Sequence, residues 1–207
     1  MKASFPNIYK ALNDEKRPAL SYAIIEDGKI VATNGSIMIY SDFANYVQNP
    51  ELAERKVFDS DLLKWMTGKN FNRLECTEKG IIAYSTKGIE EKPYSGHFEY
   101  EEKKFGETTS TVRSIYLGKN DGSMFHFPNW KSVLPNKDNY KKSEGVKDIA
   151  ICTKSLAIIS ECFIYESELK SLKFEFYTND RAILISPNER TVLLEQQAIL
   201  MPVIIND

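Results

Sequence analysis

The sequence predicts an α+β protein, with short helices laid on one side of antiparallel sheets. Three observations predict it. Hairpin signals recur between β-rich runs, at Asp27-Gly28, Asn34-Gly35 and Asn120-Asp121-Gly122, and such pairs supply the positive backbone angles that tight hairpins need. Apolar residues at helical spacing occur in short stretches near 7, 60 and 153. Each of those stretches is followed by strand-like runs. One grammar, a short helix and then a meander, is therefore used three times.

Residues 7–13 set Ile8 and Leu12 on one helical face. Strands at 20–25 and 29–32 flank Glu26-Asp27-Gly28, and Asn34-Gly35 turns the chain into a third strand at 36–40. Residues 44–56 are polar and read as a connection. After a short strand at 56–58, Asp59, Ser60 and Asp61 offer oxygens that cap a helix. Leu62, Leu63, Trp65 and Met66 give that helix its apolar side, and Gly68 ends it. Strands follow at 73–77, 81–85 and 97–101, then a charged, Ser/Thr-rich spacer at 102–111 and a hairpin of 112–117 with 124–127. Phe127-Pro-Asn-Trp-Lys-Ser-Val-Leu-Pro135 is bounded by prolines, and 136–145 reads as a linker between segments 1–135 and 146–207. The last segment runs strand 146–151, helix 153–164 with Leu156, Ile159 and Phe163 at helical spacing, and strands 172–177, 182–186, 191–195 and 198–204. Pro202 cannot donate to a ladder, so it marks where pairing of the final apolar run stops.

At 207 residues the chain is long enough for one large or two small domains. Its 42% hydrophobic and 27% charged residues are ordinary for a globular chain, and a net charge of −2 excludes an overall basic excess. No run reaches membrane-spanning length and the first residues lack an apolar signal core, so a cytoplasmic location is expected. Cys76, Cys152 and Cys162 have no CxxC spacing and read as core thiols; neither metal nor cofactor is expected. His97 and His126 lie in strand-like runs, Ser36 has no base beside it, and Asp59 and Asp61 already serve a helix start. No titratable pair has the spacing of an acid and a base, so the chain is not expected to be an enzyme.

The basic residues are informative by position. Lys10, Lys16 and Arg17 surround the first helix, Lys64 and Lys69 the second, and Lys147 and Lys154 open the third. Two readings stand. These are solvated helix faces, or, with every helix on one side of the sheets, they face one partner, duplex DNA held through sequence-independent phosphate contacts.

Three fragments, in order, resemble the bacterial DNA sliding clamp, the beta subunit of DNA polymerase III. Val31-Ala-Thr-Asn-Gly-Ser-Ile-Met38 resembles the family's "ATDGHRLA", Phe127–Pro135 its "FPDYRRVLP", and Ala198-Ile-Leu-Met-Pro-Val203 its C-terminal "YVVMPMR". Val57–Lys64 and Ile149–Leu156 sit where clamps run a strand into a domain's second helix. The resemblance implies a shortened, divergent relative of the sort a phage or mobile element carries, with residues 1 to about 135 as a middle domain holding extra sequence around 87–120 and residues 146–207 as a second, partial clamp-like domain. It implies a DNA-clamp fold, contact with or encirclement of duplex DNA, and a homo-oligomer, since a short chain needs several copies to close a ring. It also implies a hydrophobic pocket for a short peptide of a polymerase or other replication protein. By matching position that pocket comprises Thr33, Gly35, Ser36, Ile37 and Met38; Pro128, Ser132 and Val133; and Ile199, Leu200, Met201, Pro202 and Val203. Where the family has His-Arg, an Arg before "VLP" and a final Arg, this chain has Ser36-Ile37, Ser132 and Ile204, which implies a greasier pocket. The alternative is a clamp-fold module that binds a protein partner but has lost ring formation and DNA contact.

Overall fold

A computed structural model describes residues 5–12, 17–68, 71, 73–78, 80–85, 108–112, 127–134, 150–165, 170–177, 182–188 and 195–201. Its strands are β1 (Tyr22–Glu26), β2 (Lys29–Thr33), β3 (Ile37–Asp42), β4 (Val57–Asp59), β5 (Arg73–Thr77), β6 (Gly80–Ser85), β7 (Thr108–Val112), β8 (Leu172–Glu175), β9 (Ile183–Pro187) and β10 (Gln196–Leu200). Its α-helices are α1 (Ser60–Met66) and α2 (Thr153–Cys162). Seven strands form one sheet in the order β4-β1-β2-β3-β10-β9-β8, and β5-β6-β7 form a second. All these pairings are antiparallel. The α+β class predicted from the sequence is thus the observed one.

Local chemistry explains the elements. Asp27 and Gly28 both take positive φ, 52° and 70°, as a tight two-residue hairpin turn requires. The Asp59 carboxylate accepts from the Leu62 amide at 2.7 Å, which caps α1 as its position predicts. Three expectations need correction. Of the helix expected at 7–13, Ile8–Ala11 form a single 3-10 turn, with no side-chain cap at Asn7 and an extended Leu12, and Asn13 lies outside the described residues; Asn and Asp at 13 and 14 are poor helix formers. β7 takes up 108–111 of the stretch read as a spacer, together with Val112, because Thr-Thr-Ser-Thr-Val is rich in β-branched residues. The polar connection at 44–56 contains two further 3-10 turns, at Phe43–Asn45 and Pro50–Ala53. The strands expected at 97–101, 113–117, 124–126 and 191–194 and the linker at 136–145 lie outside the described residues.

The first and last meanders are joined edge to edge. β3 pairs with β10 through Ile39↔Ala198 and Met38↔Ile199. From that seam each meander runs outward in the same manner, β3-β2-β1 on one side and β10-β9-β8 on the other. The two meanders are topological equivalents about the β3–β10 line, and the helical element preceding each lies on the same side. Residues from both predicted segments therefore share one sheet.

Strand alternation sorts side chains to two sides. Ala23, Ile25, Ile30, Ala32, Ile37, Ile39, Ile185, Ala198 and Leu200 join the helical residues Ile8, Leu63, Met66 and Ile159 in the main core. The alternate residues Ile24, Val31, Met38, Tyr40, Leu184 and Ile199 form a smaller cluster on the opposite face, with Trp130 over them. Each fully buried Ile or Leu contributes roughly 1.5–3 kcal/mol, so the helix-side cluster dominates stability.

Candidate partner-binding site

The small cluster is where the three distinctive fragments meet. Fragments 31–38 and 198–203 are brought together by the β3–β10 ladder, and the Met201 amide extends it by donating to the Ser36 carbonyl at 3.2 Å. The proline-bounded segment lies across the same face. Its 3-10 turn, Trp130–Val133, buries Trp130 against Tyr40, with ring centroids 5.7 Å apart, while Phe127 and Leu134 are half-buried against the cluster. The Trp130 indole N–H donates to Glu26 at 2.6 Å, and Lys131 pairs with Asp27. Both anchors sit at the β1–β2 hairpin. Trp130, Tyr40 and Glu26 were not singled out in the sequence; a bulky aromatic between two prolines was the signal for the first.

The turn linking β2 and β3 is built from its own side chains. Thr33 Oγ1 donates to the Ile37 carbonyl at 2.6 Å and accepts from the Gly35 amide at 3.0 Å, and Asn34 Oδ1 accepts from the Ser36 and Ile37 amides. Gly35 has φ +90°, a conformation that excludes most side chains. Ser36 and Gly35 are left exposed beside Met201. Along the same face a polar border surrounds the apolar centre: Lys29 pairs with Asp42, and Tyr40 donates to Gln197. Burial pushes the Tyr40 hydroxyl up to about 12, so it stays a donor at neutral pH.

The residues expected to line a pocket divide into groups. Met38 and Ile199 belong to the opposite-face cluster but are buried beneath it, and Thr33 is consumed by its turn. Ser36, Pro128, Ser132, Val133 and Met201 are exposed. Val133 at 43% and Met201 at 46% are two of the three exposed large hydrophobics among the described residues, the third being Leu52. Ile37 and Leu200 require correction, because alternation turns both into the helix-side core. Pro202 and Val203 lie outside the described residues.

The expected DNA-facing residues also divide. Lys64 and Lys154 are exposed on α1 and α2. Lys10 forms an ion pair of 2.6 Å with Glu161 of α2, which ties the first turn to that helix; this hydrogen bond holds the ammonium pKa above its ordinary value. Arg17 lies beside the β2–β3 turn, where a side chain on Gly35 would come within 3.2 Å of its guanidinium. Lys16, Lys69 and Lys147 lie outside the described residues. On the first 3-10 turn, α1 and α2 together, three cations (Lys10, Lys64, Lys154) stand against two anions (Asp61, Glu161), a net of +1.

Among the described residues no group of three or more His, Cys, Asp and Glu could hold a metal, and no helix is long and apolar enough to cross a membrane. No protein-family model matches the chain, and no curated protein matches it.

Proposed function

We propose that this chain is a non-enzymatic, sliding-clamp-like protein that tethers a replication or repair partner through the face built by β3, β10 and the Trp130 segment, while its helical layer contacts duplex DNA. The observation that carries the reading is the meeting of the three clamp-like fragments on one sheet face, with Val133 and Met201 exposed from two of them. Repetition of a helical element with a meander, helices gathered on one side, supports the clamp fold. In such a protein the mechanism is topological: a closed homo-oligomer holds DNA through loose, exchangeable phosphate contacts.

A second reading has its own observation. The Lys10–Glu161 pair and the near balance of charge on the helical segments favour a partner-binding module of the same fold without DNA contact, since phosphate binding draws its strength from several uncompensated cations. Light scattering with retention on duplex DNA separates the two. The clamp reading expects an oligomer whose retention falls steeply with salt and weakens further in Lys64→Glu/Lys154→Glu. A strict monomer that duplex DNA does not retain at low salt leaves the module reading.

A further inference from the structure

Among the described residues, Arg17 is the one expected DNA contact whose guanidinium reaches the β2–β3 turn, at the end of the partner-binding face. It is exposed, and the Leu20 amide donates to its carbonyl at 2.8 Å, so the side chain extends from an ordered turn. Its guanidinium lies over Gly35, whose missing side chain leaves that space open. Ser36 and Met201 occupy the same corner, joined by their backbone hydrogen bond, and Met201 is 46% exposed. Among the described residues Arg17 has no ion-pair partner: the cations that pair are Lys10, Lys29, Lys131 and Lys173.

We infer that this corner anchors a partner peptide in which a carboxylate stands within a few residues of an apolar side chain. The carboxylate, from Asp, Glu or a C-terminus, goes to Arg17, and the apolar group goes to Met201. This inference rests on the partner-binding reading and specifies its partner. The guanidinium fork matches a carboxylate in two parallel hydrogen bonds. The Met201 thioether is flexible and polarizable, suited to an aliphatic or aromatic group. A phosphate could also take the fork but would leave the exposed thioether without a role, so a peptide fits the corner better. Arg17 thereby puts a cation beside the turn where the family's His-Arg is replaced by Ser36-Ile37.

The experiment pans a display library of short random peptides against the immobilised full chain, in parallel with Arg17→Glu and Met201→Asp. Both positions are exposed, so thermal melts should match the parent chain. Peptides selected by the parent should carry Asp or Glu near Leu, Ile, Met or Phe. Their affinity should fall about tenfold or more on Arg17→Glu, as for a lost charge-assisted pair, and partly recover when the peptide's acid is changed to Lys. Selection of apolar peptides without an acid, or of the same peptides by Arg17→Glu, overturns the role of Arg17 and leaves the partner-binding face standing. Failure to enrich any peptide, or enrichment indifferent to Met201→Asp, overturns both.

Discussion

The two sides of the seven-stranded sheet are made by alternate residues of the same strands, yet they are built differently. The helix side is almost wholly aliphatic and aromatic, with Phe43, Phe58, Ile8, Leu63 and Ile159 fully buried. The opposite side has a small apolar centre fenced by Lys29–Asp42, Tyr40–Gln197 and Glu26–Trp130. Its cover is a proline-bounded segment with a single 3-10 turn, where the other side has helices. Stability is concentrated on the first side; exposed apolar groups and polar direction are concentrated on the second. A binding face can therefore vary without endangering the fold, because alternation keeps the two sets of residues apart.

The largest expected difference tests that division directly. Phe58 is fully buried, with its ring 5.6 Å from that of Phe43 in an edge-to-face contact. Phe58→Ala should cost about 3–5 kcal/mol, by lost transfer energy and the cavity left behind. Trp130→Ala removes a larger side chain from the smaller cluster, whose cover is a single 3-10 turn, and should cost about 3 kcal/mol, the low end for such a truncation, even with the hydrogen bond to Glu26 lost. Urea unfolding of both variants checks the ranking. An equal or greater loss for Trp130→Ala would make the covered face part of the structural core and remove the distinction.

Much of the helix side was legible in the sequence, and less of the other. The Asp27-Gly28 turn, the Asp59 cap, both α-helices and most strands follow from short-range chemistry that acts within a few residues. What was missed depends on distant partners. Ile37 and Leu200 face the helices because the β3–β10 register sets their parity, and register between strands so far apart in sequence is not written in either strand alone. Arg17 likewise looked like a helix-flanking cation until the first helix shortened to one turn and the chain carried it to Gly35. The three fragments do meet on one face, but parity decided which of their side chains point outward.

An intermediate effect comes from pH. Burial pushes the Cys76 and Cys162 thiols on the helix side up to about 12, against an ordinary value of 9.0. The folded chain keeps these protons while the unfolded chain releases them, so stability is intact below about pH 9 and declines toward 12. The slope is about 1.4 kcal/mol per pH unit for each thiol. Tyr40 on the opposite side and Tyr46 on the helix side are also raised to about 12 by burial, and add to the decline only above their ordinary value of 10.0. Urea midpoints taken at intervals above pH 9 should therefore steepen near pH 10, and Tyr40→Phe should soften only the later part. Loss of the hydrogen bond to Gln197 lowers the midpoint of Tyr40→Phe by the same amount at every pH; a change in the pH slope already present between pH 9 and 10 would contradict the assignment of the early loss to the two thiols.

The smallest expected effect bears most on function. The Lys10–Glu161 pair is partly exposed, at 33% and 57% of its side chains, so it contributes only about 0.3 kcal/mol and is screened by salt. The Lys10 pKa is raised by the hydrogen bond it donates to the Glu161 carboxylate, so that contribution is present below 10.5 and lost as pH rises through the folded value. Glu161→Gln should thus lower the urea midpoint slightly at low salt and not at high salt. It also releases a cation on the helical layer, leaving Lys10, Lys64 and Lys154 opposed only by Asp61. If that layer contacts duplex DNA, Glu161→Gln strengthens retention and increases its salt dependence by about one phosphate contact. If retention does not change while the small stability loss is observed, the pair serves only to hold the first turn to α2. The helical side is then purely structural, and recognition belongs wholly to the opposite face.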